Sequence, residues 1–295
     1  MSSSKYVDTV FVTKEWLLDD PDSSYESLVK FMEDENGAVS EDNYATVFLK
    51  RTAMISIFRS NSLEGTLPLG STASESYNIL ETTYKNCEVP DDEPWNVDGN
   101  TPSRSQMSHH LLALLFLTEP DMLQRDLTVA DVLNVHKIMM KNSTGMLGDG
   151  GKFRSHAVYA QNHVYPEGDP VQLERECASI LASYNDSIRN GICFIVSAAD
   201  LFYKMITLHP FSDGNGRLCR LLVSYALMRA GYPFIVTLCS FHRKSRNHYM
   251  MAIFEGRRTG KLRQLRTLIL TSAFYVMRNY EDNTNLFKFI AIENE

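Results

Sequence analysis

A chain of 295 residues, 44% hydrophobic and 22% charged, is long enough to bury a substantial core in one large domain or two small ones. Its net charge of -7 at pH 7 argues against a non-specific polyanion binder, so no nucleic-acid partner is expected, although a local basic site for phosphates stays open. The five cysteines (Cys87, Cys177, Cys193, Cys219, Cys239) form no C-x-x-C pair, which excludes a zinc ribbon or disulfide framework as the organising principle and favours a reducing compartment.

The first residues, MSSSKYVDTVFVTKEWLLDD, lack a basic start, a long apolar run and a small-residue cleavage pattern. No stretch of about 18 apolar residues follows. The expectation is a cytoplasmic or nuclear protein with no membrane partner, for which the glycosylation-type triplets at Asn142 and Asn185 carry little meaning. Residues 1–41 read as an acidic N-terminal extension. From 42 to 61, Phe48, Met54, Ile55 and Phe58 recur at helical spacing, and this helix runs into Ser60-Asn61-Ser62-Leu63-Glu64-Gly65, with Gly65 and Pro68 as stop signals.

Residues 87–105 are rich in turn formers and read as a surface loop. A buried helix is expected over 106–118, then a second, VADVLNVHKIMMK, capped by Thr128 or Asp126. The glycine-rich stretch after Gly145 suits a short irregular hairpin through Ala157, Tyr159 and Val164, turning near Gln161-Asn162. Helical spacing returns over 171–189 and 194–208. A strong helix over 217–230 has Leu218, Leu221, Leu222, Tyr225 and Met228 on one side and ends at Gly231 and Pro233. Two more helices are expected around 243–256 and 261–281. The fold class is therefore all-α with one small β-hairpin.

Between two of these helices stands His209-Pro210-Phe211-Ser212-Asp213-Gly214-Asn215-Gly216-Arg217-Leu218-Cys219-Arg220. Gly214 and Gly216 permit positive φ and close approach of backbone to a ligand. Successive N–H groups in such a turn make a concave nest for anions, and the start of the next helix adds unpaired N–H groups and its positive dipole end. Arg217 and Arg220, three apart, add guanidinium forks suited to phosphate. Asp213 offers a hard oxygen ligand for Mg²⁺ beside the phosphates. His209 has an ordinary pKa near 6.5 and so can accept a proton at neutral pH. A lone D-G-N-G is usually only a turn; it is the concentration of base, acid, glycines and arginines within twelve residues that points to chemistry.

This segment resembles the Fic family pattern H-P-F-x-[D/E]-G-N-G-R-x-x-R at every specified position. The likeness extends to the stretch 129–136 that ends in His136, to G-K-F-R at 151–154 with its following hairpin, and to R-x-x-Y at 246–249. It covers roughly residues 42–280. The resemblance implies a Fic-type helical bundle with a hairpin flap, occupying 42–281, with 282–295 as a C-terminal tail. It implies a protein adenylyltransferase that moves AMP from ATP onto a Ser, Thr or Tyr hydroxyl of a target protein. His209 would be the general base and Asp213 the Mg²⁺ ligand. Asn215 with the backbone of Gly214 and Gly216 would hold the α- and β-phosphates, Arg217 would contact phosphate, Arg220 would reach the γ-phosphate, and Tyr249 would belong to the nucleotide site. The hairpin would align the target chain by strand-like pairing, and a homodimer is consistent with family likeness.

Ser60-x-x-x-Glu64-Gly65 is similar to the inhibitory pattern [S/T]-x-x-x-E-[G/N] of the class with an N-terminal inhibitory helix, here near 42–65. Glu64 paired with Arg220 would occupy the arginine that the γ-phosphate needs. The same glutamate could instead position water to remove AMP, which keeps a de-AMPylating hydrolase open as the alternative. One departure concerns the base pocket: many adenylylating relatives carry an alanine-asparagine pair after R-x-x-Y, whereas Arg257 stands near the expected asparagine here. Transfer of a different nucleoside monophosphate, or of another phosphate-containing group, therefore stays open. A non-catalytic nucleotide-binding module is disfavoured because His209 and Asp213 are intact.

Three other features are set aside. Gly148-Asp149-Gly150-Gly151-Lys152 lacks the Ser/Thr and spacing of a Walker A loop. His109-His110, like His242 and His248, lacks metal-ligand spacing and reads as helix-surface or packing residues.

Overall fold

The computed structural model describes residues 42–67, 73–88, 104–141, 150–160, 163–232, 234–238 and 245–278. The expected N-terminal extension, the C-terminal tail, most of the 87–105 loop, Pro68, Asn142, Pro233, Cys239, the turn at Gln161-Asn162 and the side chains of His242 and His248 lie outside the described residues. Ten helices and one hairpin are described, so the all-α reading with a small hairpin holds: α1 (Asp42–Glu64), α2 (Ala73–Asn86), α3 (Arg104–Leu117), α4 (Pro120–Gln124), α5 (Val129–Met139), β1 (Val158–Ala160), β2 (His163–Tyr165), α6 (Pro170–Arg189), α7 (Phe194–Leu208), α8 (Asn215–Arg229), α9 (Ser245–Thr259) and α10 (Arg263–Arg278).

The centre of the bundle is the pair α7 and α8. α6 and α10 pack on α7, while α1, α3 and α4 touch α8. α7 buries Ile195, Ala198, Ala199, Leu201, Phe202, Met205 and Ile206. The sequence reading gave α8 a single apolar side beginning at Arg217. It instead begins at Asn215 and buries every residue from Arg217 to Leu227. A helix buried on all sides belongs to the core of a layered bundle, and here Arg217, Arg220 and Ser224 are drawn in with the apolar residues.

Local signals explain the ends. Thr128, not Asp126, caps α5: its hydroxyl accepts from the Asp131 N–H at 3.3 Å, and Asp131 accepts from the Thr128 N–H at 2.9 Å. This reciprocal capping box satisfies two otherwise orphaned donors. Asp126 instead pairs with Arg229 at 3.3 Å and with Arg189. α6 starts at Pro170 behind the Asp169 cap. α1 ends where Gly65 was expected to stop it, in a Schellman turn, with Thr66 N–H donating to Asn61 C=O at 2.9 Å, Gly65 N–H donating to Ser62 C=O, and Gly65 at φ 67°. Glu64 is consequently the last helical residue of α1. The polar helix α2 and the five-residue α4 were not anticipated. Asn185 is buried and clasps both the N–H and the C=O of Leu127 at 3.1 and 2.9 Å, a packing role.

The hairpin pairs antiparallel with Val158 opposite Tyr165, Tyr159 opposite Val164 and Ala160 opposite His163. Alternation along the strands turns Val158 and Tyr165 inward and leaves Tyr159 and Val164 exposed.

Candidate active site

His209 follows α7 in the left-handed region, at φ 51° and ψ 58°. A non-glycine residue is held there only by its surroundings. Arg154 supplies the hold: its Nε donates to the His209 carbonyl at 2.8 Å, its backbone N–H donates to the Pro210 carbonyl at 3.0 Å, and its Nη1 donates to the carbonyls of His156 and Pro166 at the two feet of the hairpin. One buried guanidinium thus ties the histidine to the flap. Arg154, the last residue of G-K-F-R, carries no local signal of this role in the sequence.

The loop 210–214 is braced from the other side by His136 on α5. Its Nδ1 accepts from the Gly151 N–H at 2.8 Å, which leaves Nε2 to donate to the Asp213 carbonyl at 2.9 Å. Its ring stacks on Phe211 with centres 3.8 Å apart. Burial pushes its pKa down to about 4, so it is neutral and keeps this tautomer at neutral pH. The glycine stretch at 150–151 therefore serves as the partner of His136. Gly214, at φ 77°, has no room for a Cβ, which would lie 2.9 Å from Met139 and 3.1 Å from His136.

Asn215 was expected to grip phosphate. Its amide is used inside the loop: Oδ1 accepts from Phe211 N–H at 3.0 Å, and Nδ2 donates to Phe211 C=O at 2.7 Å. Its side chain closes the turn, and only its backbone N–H, at the start of α8, is placed to serve an anion. Arg217 and Arg220 also part company. Arg217, 2% exposed along its side chain, donates to Asp213 Oδ2 at 3.0 Å, while Asp213 Oδ1 accepts from Gly214 N–H at 2.6 Å. Asp213 remains 51% exposed and lines the cleft. A half-exposed carboxylate next to a nest of N–H groups fits Mg²⁺, which takes one or two carboxylates and fills its other positions with phosphate and water. Among the described residues no group of three or more His, Cys, Asp or Glu could hold a metal by itself.

Arg220 points the other way. Its Nη2 donates to Glu64 Oε1 at 2.6 Å and to the Ser60 carbonyl at 3.3 Å, and its Nε donates to Ser60 Oγ at 2.8 Å. Tyr249 stands at the edge of this group, its hydroxyl 3.5 Å from Arg220 Nη1. Glu64 also lies directly over the glycine loop: a Cβ on Gly216 would come within 2.7 Å of its Oε1. The structure thus brings Ser60, Glu64, Arg220, Gly216 and Tyr249 together although 189 positions separate the first from the last.

All of this surrounds one cleft of about 260 Å³, lined by Glu64, Tyr159, Tyr165, His209, Asp213, Gly214, Asn215, Gly216, Tyr249, Ile253 and Arg257 among others. His209 departs from its ordinary value: burial lowers it to about 4, helped by the charges of Arg154 and Arg257 and opposed by the Ile206 carbonyl and Asp213. It is therefore neutral and able to accept a proton throughout the physiological range. Behind the site, His109 and His110 are buried rather than on a helix surface, and His110 Nδ1 lies 3.0 Å from Asn61 Nδ2. Tyr165, which the sequence does not mark, stacks its ring on His209 with centres 4.1 Å apart, and Arg257, the departure noted near the base pocket, lines the same cleft and contacts Tyr165. No helix among the described residues is long and apolar enough to cross a membrane.

Comparison with known proteins bears on the family. Residues 126–227 match the Fic/DOC family model. The "Protein adenylyltransferase Fic" of Drosophila yakuba is 31% identical over 227 residues, and that of Drosophila melanogaster 30%. Each alignment takes in 76% of this chain and 42% of the relative, so the chain spans about two fifths of the length of these curated relatives. Among solved structures, a Fic domain-containing signalling protein from Bacteroides thetaiotaomicron superposes with a TM-score of 0.66 at 19% identity, covering 86% of this chain and 98% of its own. Fic-1 from C. elegans superposes with a TM-score of 0.65 at 17% identity, covering 90% and 74% respectively. These two establish likeness of fold. With the HPFSDGNGRLCR loop, its bracing and the flap in place, the chain belongs to the Fic/DOC family.

Proposed function

We propose that this protein transfers AMP from ATP to a Ser, Thr or Tyr hydroxyl of a target protein, and that Glu64 restrains the reaction. One observation carries the reading: a neutral, buried histidine and an exposed carboxylate flank a glycine nest in a cleft whose nearby arginine is held by a glutamate from another helix. The names of the curated relatives support adenylyl transfer.

In the proposed mechanism the N–H groups of Asn215 and Gly216 receive the phosphates at the positive end of α8, while the Gly214 N–H, which donates to Asp213 Oδ1, joins them only if that bond is exchanged. Asp213, held by Arg217, would keep Mg²⁺, which supplies charge neutralisation to the phosphates when bound. The target's hydroxyl enters beside the hairpin, and the imidazole of His209 takes its proton as the oxygen attacks the α-phosphorus. The new O–P bond forms as the bond to the β-phosphate breaks, and pyrophosphate leaves. The γ-phosphate seeks Arg220, whose fork Glu64 and Ser60 already fill, so the two anions compete for one cation.

The test is incorporation of label from α-labelled ATP into the protein itself. Glu64→Gly is expected to raise it by roughly 10- to 100-fold, the equivalent of one charge-assisted hydrogen bond. ATP, CTP, GTP and UTP run side by side settle the base. Failure of Glu64→Gly to incorporate label from any of the four while still binding them would sink the transferase reading. A hydrolytic reading has its own support, since the Glu64 carboxylate shares the cleft with His209. It predicts release of AMP from a modified protein by the wild type and its loss in Glu64→Gly.

A further inference from the structure

We infer that Tyr165 and Arg257 form a clamp that holds the imidazole of His209 in its working orientation, which makes both of them positioning residues for the proposed reaction. The inference rests on that reading for its kinetic consequences and on geometry for the clamp itself.

His209 is fixed through its backbone by Arg154, but a backbone tie leaves rotation about the side-chain bonds free. A flat neighbour restricts that rotation. Tyr165, at the end of β2, lies against the imidazole with ring centres 4.1 Å apart and planes at 16°. Its hydroxyl donates to the Ile206 carbonyl at 3.3 Å, three residues before His209 on the same chain segment. Arg257 then closes the clamp from α9: its Nη2 donates to the Tyr165 hydroxyl, and its guanidinium carbon stands 5.6 Å from the ring centre. Flap, end of α7 and α9 converge on one phenol ring. Tyr165 is 5% exposed, whereas Arg257 is exposed, so this contact anchors the long arginine side chain at the rim of the cleft.

The arrangement also decides the environment of the base. The groups facing His209 are the Tyr165 ring from the flap, Arg154 ahead of the flap, Arg257 from α9, Asp213 from the glycine loop and the carbonyl of Ile206 from its own helix. The ring and the two guanidinium groups favour neutral imidazole; the carboxylate and the carbonyl favour imidazolium. Removing the ring admits water to the exposed face and releases Arg257 at the same time, so both changes act in one direction. Precise orientation of a proton acceptor is worth orders of magnitude in rate.

The experiment uses the full chain carrying Glu64→Gly, with Tyr165→Leu, Tyr165→Phe or Arg257→Ala added. Initial rates of self-modification are measured against pH and ATP, and the His209 imidazole is titrated by NMR in histidine-labelled protein. Tyr165→Leu is expected to lower kcat about tenfold or more, to leave KM for ATP within about twofold, and to move the acid limb and the His209 titration upward by about one pH unit. Tyr165→Phe keeps the ring but removes the hydroxyl that anchors Arg257, so it and Arg257→Ala are both expected to move the acid limb upward by less than Tyr165→Leu does. An unmoved His209 titration in a folded Tyr165→Leu protein would overturn the clamp. So would an Arg257→Ala effect confined to KM for ATP, which would make Arg257 a nucleotide contact. If Glu64→Gly alone incorporates no label, the functional reading fails, and the NMR titration still decides the clamp by itself.

Discussion

Two regions meet at Arg220, and they are built differently. The glycine loop from His209 to Gly216 is braced on every side: Arg154 holds the His209 carbonyl, His136 holds the Asp213 carbonyl, and Asn215 ties off Phe211. The end of α1 reaches the same cleft through Ser60 and Glu64, and both of those contacts converge on the one guanidinium of Arg220. The half assigned to the chemistry is fixed by several independent partners, whereas the side chains of Ser60 and Glu64 in the half assigned to restraint meet at a single cation. A site organised this way could lose the proposed restraint without losing its shape.

The largest expected effect tests the braced half. In a Glu64→Gly background, His209→Ala should cut self-modification by about 10³-fold, the scale of general base catalysis, with nucleotide binding retained as read by calorimetry. Residual activity within tenfold of the parent would mean that the loop works without its base. Next comes Arg154→Ala, which removes a largely buried guanidinium from three carbonyls and should cost about 3 kcal/mol or more in urea unfolding. A loss below about 1 kcal/mol would show that the loop does not depend on that brace.

The third prediction follows from pH. His136 and His209 each lie at about 4 in the fold, below the unfolded value near 6.5. The unfolded chain therefore binds more protons between those values, and stability falls as the pH drops from about 6.5 towards 4, then levels. At pH 5 the loss relative to pH 7 should be roughly 2 kcal/mol for each histidine, and His136→Gln should remove part of that slope. A urea midpoint unchanged between pH 7 and pH 5 would contradict it. The smallest effect belongs to the restraint: Ser60→Ala leaves Glu64 in place and should raise self-modification only about fivefold, the equivalent of about 1 kcal/mol. An effect as large as that of Glu64→Gly would show that the serine, not the glutamate, carries the restraint.

Much of this was legible in the sequence. Helical spacing located α1, α3 and α5 to α10 to within a few residues, because each carries enough apolar residues at steps of three and four to be read without tertiary help. α2 was not, since ASESYNILETTYKN is mostly polar and is held by Ser76, Leu80 and Thr83 turned into the bundle. The loop residues were found because one contiguous segment carries them. Their partners were harder. Ser60 and Glu64 were reachable through a short pattern, but Tyr165 and Arg257 are 92 residues apart, with no local signal that the fold joins them. The side chain of Asn215 is hard to read for a related reason: an amide beside glycines suggests a ligand contact, and only the structure shows both of its ends taken up by Phe211.

The Schellman turn at Gly65 has a kinetic consequence. Because Glu64 is the terminal residue of α1, withdrawing its carboxylate needs only the residues after Asn61 to uncoil, while Phe48, Met54 and Ile57 stay packed. Helix ends open and close on the scale of about a microsecond or less, far faster than the roughly 10 turnovers per second of a typical enzyme. Within each catalytic cycle the restraint would then re-equilibrate many times over, so its strength would register as a fraction of time spent open rather than as a slow activation step.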